Sequence, residues 1–259
     1  MLEVKALRAG YRGRQVLRGV TLHVAPGELC ALLGENGSGK STLLRALCGM
    51  LPAQYELCAL EHRDLPGMRA RERAQRVAYI PQRCAIDPGL TAEEAVLMGA
   101  NARTPLLSGY TAAQRTQARE SLTRAGAGAL AGRLFGTLSE GQRQLVVLAR
   151  ALMQQPRLFL LDEPDSALDL SRRYAVMDAV RAAMGTDCGA LAVLHDAQLA
   201  LSRCDRVFIL KDGEIACALD MHAADEAQVS AAMALLSEGT RAVRVDGEWA
   251  VLGRGVRVF

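Results

Sequence analysis

The sequence predicts an α/β fold. It comprises a mixed-sheet core, an antiparallel β region at the N-terminal end and an inserted α-helical subdomain. Three observations carry this reading. Short apolar runs alternate with helical patterns, as "LCALL" (29–33), "RLFLLD" (157–162), "GALAVLHD" (189–196) and "RVFILKDGEI" (206–215), which is the mark of a parallel sheet covered by helices. The first 33 residues read instead as short β segments joined by turns. Between 84 and 151 the composition shifts to Ala, Arg, Gln and Leu, and β-branched residues thin out. The expected organisation is one domain over 1–259, with a core of 1–83 and 152–259, a helical subdomain of 84–151 and a β-containing tail over 220–259.

The elements follow in order. "LEVKALRAGY" and "QVLRGVTLHV" flank a turn at Arg12-Gly13-Arg14, and "APGE" is a Pro-Gly turn. "LCALL" is a buried strand ahead of a glycine-rich loop. "KSTLLRALCGML" carries apolar residues at helical spacing and is expected to stop at Pro52. "RVAYIPQ" (76–82) is a strand ending in proline. In "TAEEAVLMGA", Thr91 stands three residues before Glu94, a capping box. "TAAQRTQARESLTRAG" reads as a helix from Thr111 to Gly126. The tail "TRAVRVDGEWAVLGRGVRVF" reads as a hairpin turning at Asp246-Gly247.

Composition bounds the function. Half of the 259 residues are apolar and 23% are charged, enough for a full core. The net charge of +3 shows no basic footprint, so nucleic acid is not an expected partner. Seven cysteines, at 30, 48, 58, 84, 188, 204 and 217, form no C-x-x-C pair and read as small buried hydrophobes of a reducing cytosol. "MLEVKALRAG" has no signal-peptide pattern. No stretch approaches the ~18 apolar residues that a membrane span needs, so work at a membrane would require a partner.

"GENGSGKST" (34–42) fits G-x-x-x-x-G-K-[ST] between a strand and a helix. Its glycines let backbone N–H groups from Gly37 to Ser41 point at a β-phosphate, where a Cβ would block the approach. Lys40 neutralises β and γ oxygens, the Ser41 hydroxyl ligates Mg²⁺, and the helix dipole adds a positive end. Gly34, Asn36, Gly37, Ser38, Gly39, Lys40, Ser41 and Thr42 are therefore candidate nucleotide-binding residues. "LFLLDEP" (158–164) ends a strand in two carboxylates: Asp162 can reach a Mg²⁺ shell while Glu163 turns to an attacking water, the two functions that phosphoryl transfer needs. His195 follows "ALAVL", at the ligand-side end of the strand expected beside that of Glu163. The Gln82 amide closes a strand and can ligate Mg²⁺ or hold a water. Tyr11, among glycines, fits either a ligand contact or the core. The polar turn Ser139-Glu140-Gly141-Gln142 opens an apolar helix, a second helix start able to face phosphate.

In order along the chain, Tyr11, the loop at 34–42, Gln82, "LSEGQ" (138–142), "LLDEP" (160–164), "SALD" (166–169) and His195 make this sequence resemble the ATP-binding cassette (ABC) ATPases, which have a RecA-like P-loop NTPase core. The resemblance covers nearly the whole chain and is weakest after about residue 220. It implies ATP and Mg²⁺ as cofactors. It assigns Tyr11 to stack on adenine, Gln82 to link Mg²⁺ and the lytic water to the helical subdomain, Glu163 as catalytic base, His195 to contact the γ-phosphate and Asp169 to a loop crossing a dimer interface. Ser139, Gly141 and Gln142 would face the γ-phosphate held by a second copy, so that two chains packed head to tail close each other's sites. The sequence departs from the family at Glu140, where glycine is usual; its carboxylate is expected to face solvent or the helix N-terminus. Asp165 stands where threonine is commoner, and "PAQYELCALEHRDL" (52–65) lacks the usual hairpin glycines.

"TAEEAVLMGANARTPLL" and the stretch from "SLTRAGAGAL" to "DEPDSALDL" resemble the ATPases of importers for iron–siderophore, haem or cobalamin. That likeness implies a peripheral homodimer on the cytoplasmic face of the inner or plasma membrane, docked beneath membrane permease subunits and supplied by an external substrate-binding protein. The docking groove is expected near Gln82 and residues 84–110. Alternatives are a soluble ABC ATPase, such as one serving iron–sulfur cluster assembly, and the ATPase of another transporter class. A third, an inactive regulatory subunit, is disfavoured by intact Lys40, Glu163 and His195.

Overall fold

A computed structural model describes residues 1–105, 108–166 and 168–253. The chain runs through β1 (Leu2–Tyr11), β2 (Arg14–Val24), β3 (Leu29–Leu33), α1 (Lys40–Leu47), β4 (Ala53–Gln54), β5 (Leu57–Leu60), β6 (Arg63–Asp64), α2 (Ala70–Ala74), β7 (Val77–Ile80) and α3 (Ala92–Leu97). It continues through α4 (Ala112–Arg124), α5 (Glu140–Met153), β8 (Leu158–Asp162), α6 (Leu170–Met184), β9 (Gly189–Val193), α7 (Ala197–Arg203), β10 (Arg206–Lys211), β11 (Glu214–Asp220), α8 (Glu226–Leu236), β12 (Arg241–Val245) and β13 (Glu248–Leu252). Two compact units result: residues 1–67 with the described residues from 191 onward, and residues 68–190.

The first unit holds an antiparallel sheet in the order β2-β1-β5-β6, with β4 also on β1. Its second sheet segment runs β11-β10-β3-β9. There β10 lies parallel to β3, from Arg206 opposite Cys30 to Ile209 opposite Leu33. Every residue of β3 and β9 is buried, as strands covered on both faces require. Asp205 fixes the edge of this packing: its Oδ2 accepts from Leu29 N at 2.8 Å. Burial pushes the Cys30 and Cys58 thiols up, Cys58 to about 12, so both sit in the core as neutral thiols.

In the second unit β7 runs parallel to β8, Val77 opposite Leu158 through Ile80 opposite Leu161. Gly189, at the start of β9, donates to Arg157 O at 3.0 Å. Among the described residues between 84 and 151 the named elements are all helical, α3, α4, α5 and short 3₁₀ turns, with one isolated antiparallel bridge between Thr91 and Leu134. The three α-helices pack on one another. Each begins in a reciprocal capping box: Thr91 with Glu94, Thr111 with Gln114, Ser139 with Gln142. Such a cap contributes about 1 kcal/mol.

The structure differs from the sequence reading at two turns and supplies a third that the sequence left open. Helix α1 stops at Leu47 rather than at Pro52, because Gly49 takes a left-handed conformation (φ 63) and Met50 N donates to Arg45 O at 2.9 Å, a Schellman stop. "RVFILKDGEI" is two strands, not one. Asp212 and Gly213 (φ 51 and 82) turn the chain into the β10–β11 hairpin, the Asp-Gly pair that a two-residue hairpin favours. The segment without hairpin glycines still turns tightly: Glu61 and His62 both hold left-handed backbone (φ 52 and 64) between β5 and β6. The tail hairpin does turn at Asp246-Gly247 (φ 52 and 85); the last six residues of the tail, 254–259, lie outside the described ones.

A β-branched residue at His62 would meet the full left-handed penalty, which is roughly 1–2 kcal/mol. His62→Val is expected to lower stability by about that amount, whereas His62→Asn, tolerant of this conformation, leaves it unchanged or raises it. Urea unfolding midpoints at constant slope check the pair; equal midpoints for the two variants contradict the turn.

Candidate functional site

In the first unit, buried β3 delivers the chain to a loop whose backbone presses against β10. A Cβ on Gly34 would lie 2.4 Å from Leu210 O and 2.7 Å from Ser38 Oγ. Beyond it the loop opens: nothing stands within 4 Å of a Cβ built on Gly37 (φ 84). Gly39, left-handed at φ 109, starts α1 with no side-chain cap and no acidic residue in the first turn, so its amides and the helix dipole face outward. Lys40 is 6% exposed, and its Nζ donates to Gly34 O (2.7 Å) and Glu35 O (3.0 Å). Thr42 is buried and Ser41 half-buried in the same turn, while Asn36 is exposed at the loop tip. Ser38 Oγ is buried without a hydrogen-bond partner. The uncapped start of α1, a buried ammonium and an orphaned hydroxyl together fit a polyphosphate.

Tyr11 ends β1, 41% exposed, with Arg45 Nη1 donating to its hydroxyl at 3.4 Å. His195 is exposed just beyond β9. Leu194 N, before it, donates to Leu32 O at 3.3 Å, and Asp196, after it, caps α7 by accepting from Leu199 N at 3.1 Å.

In the second unit the fully buried β8 ends at Asp162, 6% exposed. Tyr79 of β7 donates its hydroxyl to Asp162 Oδ2 at 3.1 Å. Sequence reasoning missed Tyr79; only the pairing of β7 with β8 exposes its role. Glu163 leaves the strand in left-handed backbone (φ 54), which turns its carboxylate away from the path of Asp162. Such a conformation costs of order 1–3 kcal/mol and gathers at functional sites. Gln82 Nε2 donates to Glu163 Oε2, so the structure brings these two predicted residues together.

Ser139 is the N-cap of α5. Its Oγ accepts from Gln142 N (3.4 Å) and Gln142 Oε1 accepts from Ser139 N (3.1 Å). A Cβ on Gly141 would come within 3.3 Å of Arg172 Cδ. Glu140 lies in the first turn of α5, where the dipole favours a carboxylate, and pairs with Arg143 at 3.6 Å. Asp169 caps α6; Arg172 N (3.0 Å) and Ser171 Oγ (2.9 Å) donate to it and hold its carboxyl below the usual range. Asp165 is 3% exposed. Ala167, within "SALD", lies outside the described residues.

A groove of about 570 Å³ opens beside Gln82. Its walls include Cys84 and Pro88 on one side and Phe135, Arg143 and Val147 on the other. It therefore draws on 81–88, 135–147 and Ser166, not on the whole of 84–110. Arg143 shapes it, stacked 5.8 Å from the Phe135 ring and donating to Gly136 O at 3.1 Å.

The family model described as ABC transporter matches residues 17–166. The chain belongs to the ABC transporter family. It is 40% identical to the hemin import ATP-binding protein HmuV of Pseudomonas aeruginosa over 218 residues, 82% of this chain and 84% of that protein. It is 40% identical to HmuV of Streptomyces coelicolor over 219 residues, 83% and 77% of the two chains. Among solved structures it is similar to a dimeric post-hydrolysis state of the ATP-binding cassette MJ0796 bound to ADP and Pi, with a TM-score of 0.73, 25% identity and coverage of 85% of this chain and 99% of that one. The chain is accordingly an ABC ATPase with the α/β P-loop NTPase fold that its sequence predicts, and it binds ATP.

The contrast between two loop glycines tests the phosphate cradle. Gly34→Ala forces backbone apart and is expected to cost about 1–3 kcal/mol. Gly37→Ala meets only the left-handed penalty, about 1 kcal/mol. Chemical denaturation of the nucleotide-free protein reads the order; a Gly34 variant as stable as the wild type contradicts the close approach.

Proposed function

We propose that this ABC ATPase energises uptake of a haem, iron–siderophore or cobalamin-type substrate through a separate membrane permease, by Mg²⁺- and ATP-dependent closure of a homodimer. The observation that carries the import reading is the similarity to hemin import ATP-binding proteins over about four-fifths of both chains. The resemblance stated from the sequence also embraces siderophore and cobalamin importers. The loop floored by Gly34 and Gly37 carries the ATP reading.

The roles follow from donor chemistry. Backbone amides from Gly37 to Ser41, the Ser38 hydroxyl and Lys40 hold the phosphates, and Tyr11 offers its face to adenine. Bound Mg²⁺ would neutralise phosphate charge; Ser41, Gln82 and Asp162 supply the oxygen ligands this ion prefers, with Tyr79 orienting Asp162. Glu163 accepts the proton of the attacking water as the bond to the leaving β-phosphate oxygen breaks. Gln82, bonded to Glu163, orients that carboxylate, and His195 contacts the γ-phosphate.

The capping box fits a trans role for Ser139 and Gln142. The Ser139 Oγ accepts one bond and retains its own proton; Gln142 accepts through Oε1 and retains its Nε2 donors. Both side chains are thus held in place with donors left for a second copy's γ-phosphate, and Gly141 leaves room for Arg172 beside that turn. Asp169 serves the same dimer face. The groove beside Gln82 suits a short cytosolic helix of the permease. Among the described residues no helix is long and apolar enough to cross a membrane; a peripheral position on the cytoplasmic face belongs to the same import reading. An external binding protein would deliver the cargo, and no nucleic acid takes part.

Glu163→Gln is expected to keep ATP binding, lose about 10²–10⁴-fold in turnover and trap the dimer; turnover at the wild-type rate refutes the base. Lys40→Ala should lose nucleotide affinity. Ser139→Arg should block ATP-dependent pairing, read by sedimentation, while single-chain ATP binding persists. Equal loss of both would mean that the turn serves its own site. Co-purification with a permease and hemin-stimulated hydrolysis in liposomes test import; full activity with no membrane partner favours the soluble ATPase.

A further inference from the structure

The β12–β13 hairpin is stitched to α7, the helix that begins two residues after His195. Gln198, in the first turn of α7, spans the connection with both ends of its amide. Its Nε2 donates to Trp249 O, and its Oε1 accepts from Val251 N at 2.9 Å. One side chain therefore completes two backbone groups on β13, as a neighbouring strand would. The same Nε2 lies 3.3 Å from Ser202 Oγ, one turn further along α7.

The hairpin is itself firmly seated. Trp249 is 6% exposed, with the Arg244 guanidinium 4.5 Å from its ring centroid. Ser230 of α8 donates to Ala242 O (2.7 Å) and accepts from Ala242 N (3.1 Å). Glu226 Oε1 accepts from Arg244 N at 3.1 Å. The body formed by α8 and the hairpin thus reaches α7 through Gln198.

Helix α7 has seven residues. A helix that short has little stability of its own and takes its position from what it packs against. Its N-cap, Asp196, adjoins exposed His195, whose other neighbour, Leu194, is tied to β3. The backbone on both sides of His195 is held by these two anchors, and α7, which carries one of them, packs on β3 and on the hairpin.

We infer that the C-terminal hairpin positions His195 through Gln198, so that loosening the Gln198 clamp withdraws the imidazole from its working place. The inference rests on the reading that His195 contacts the γ-phosphate. Gln198 is a positioning residue; it acts through α7 and touches no reacting atom.

The test uses the whole chain, with Gln198→Leu as a variant of similar size that cannot bond β13. The expected result is a fall in kcat of about 10–100-fold, the scale of a small misplacement at a reaction centre, with the KM for MgATP unchanged. The second readout is the imidazole NMR spectrum. The chain has four histidines, 23, 62, 195 and 222, and His195→Gln assigns the relevant signal. In the wild type, a non-hydrolysable ATP analogue should move the His195 signal; in Gln198→Leu that response should shrink or vanish. An unchanged kcat with a full response overturns the inference and leaves the His195 reading standing. A wild-type His195 that ignores the analogue overturns the reading and the inference with it. Should Gln198→Leu fail to fold, Ser230→Ala loosens the hairpin from α8 without touching α7, and kcat is expected to fall in the same direction; full activity in that variant overturns the inference.

Discussion

The backbone of the phosphate loop touches the backbone of β10, and that contact admits no side chain. Gly34 sits where even a methyl group would enter Leu210 O. Because β10 lies parallel to β3 at this point, the chain leaving β3 has one direction to take before α1 begins. The consequences are local and follow in sequence. Gly37 faces open space, α1 starts without a side-chain cap, and Lys40 folds back onto Gly34 and Glu35 carbonyls. A polyphosphate finds its donors already arranged, at little cost in reorganisation.

The carboxylate-bearing strand end in the second unit obeys a different constraint. Two consecutive acids on a regular strand would diverge to opposite faces. The left-handed backbone at Glu163 breaks the strand between them. Tyr79 then holds Asp162, and Gln82 holds Glu163. Each carboxylate thereby has its own hydrogen-bonded partner, as expected if one is to hold a cation and the other to receive a proton. At the start of α5 the capping box does comparable work, because it fixes Ser139 and Gln142 while leaving hydrogens on both.

What was legible in the sequence was local. The capping box at Thr91, the helix start at Thr111, the Asp246-Gly247 turn and the glycine-rich loop follow rules that act over three or four residues, and the structure shows each of them. Pro52 is the more conspicuous breaker after α1, but Gly49 comes first and completes the hydrogen bonds that end the helix. The Asp212-Gly213 turn was hidden in an apolar stretch that reads as one continuous strand. Tyr79 and Gln198 were beyond reach, since their partners lie 83 and about fifty residues away along the chain. The groove beside Gln82 has the same origin, for its walls come from two segments that only folding brings together.

In the proposed homodimer one chain owns half of each reaction centre and a twin supplies the rest. The most direct measurement mixes two inactive proteins, Lys40→Ala and Ser139→Arg, in equal amounts. A mixed pair contains one intact phosphate loop facing one intact Ser139 turn. The mixture is expected to pair on addition of MgATP, hold one nucleotide per pair and hydrolyse ATP faster than the sum of its parts. A mixture as inert and as monomeric as its components contradicts that arrangement.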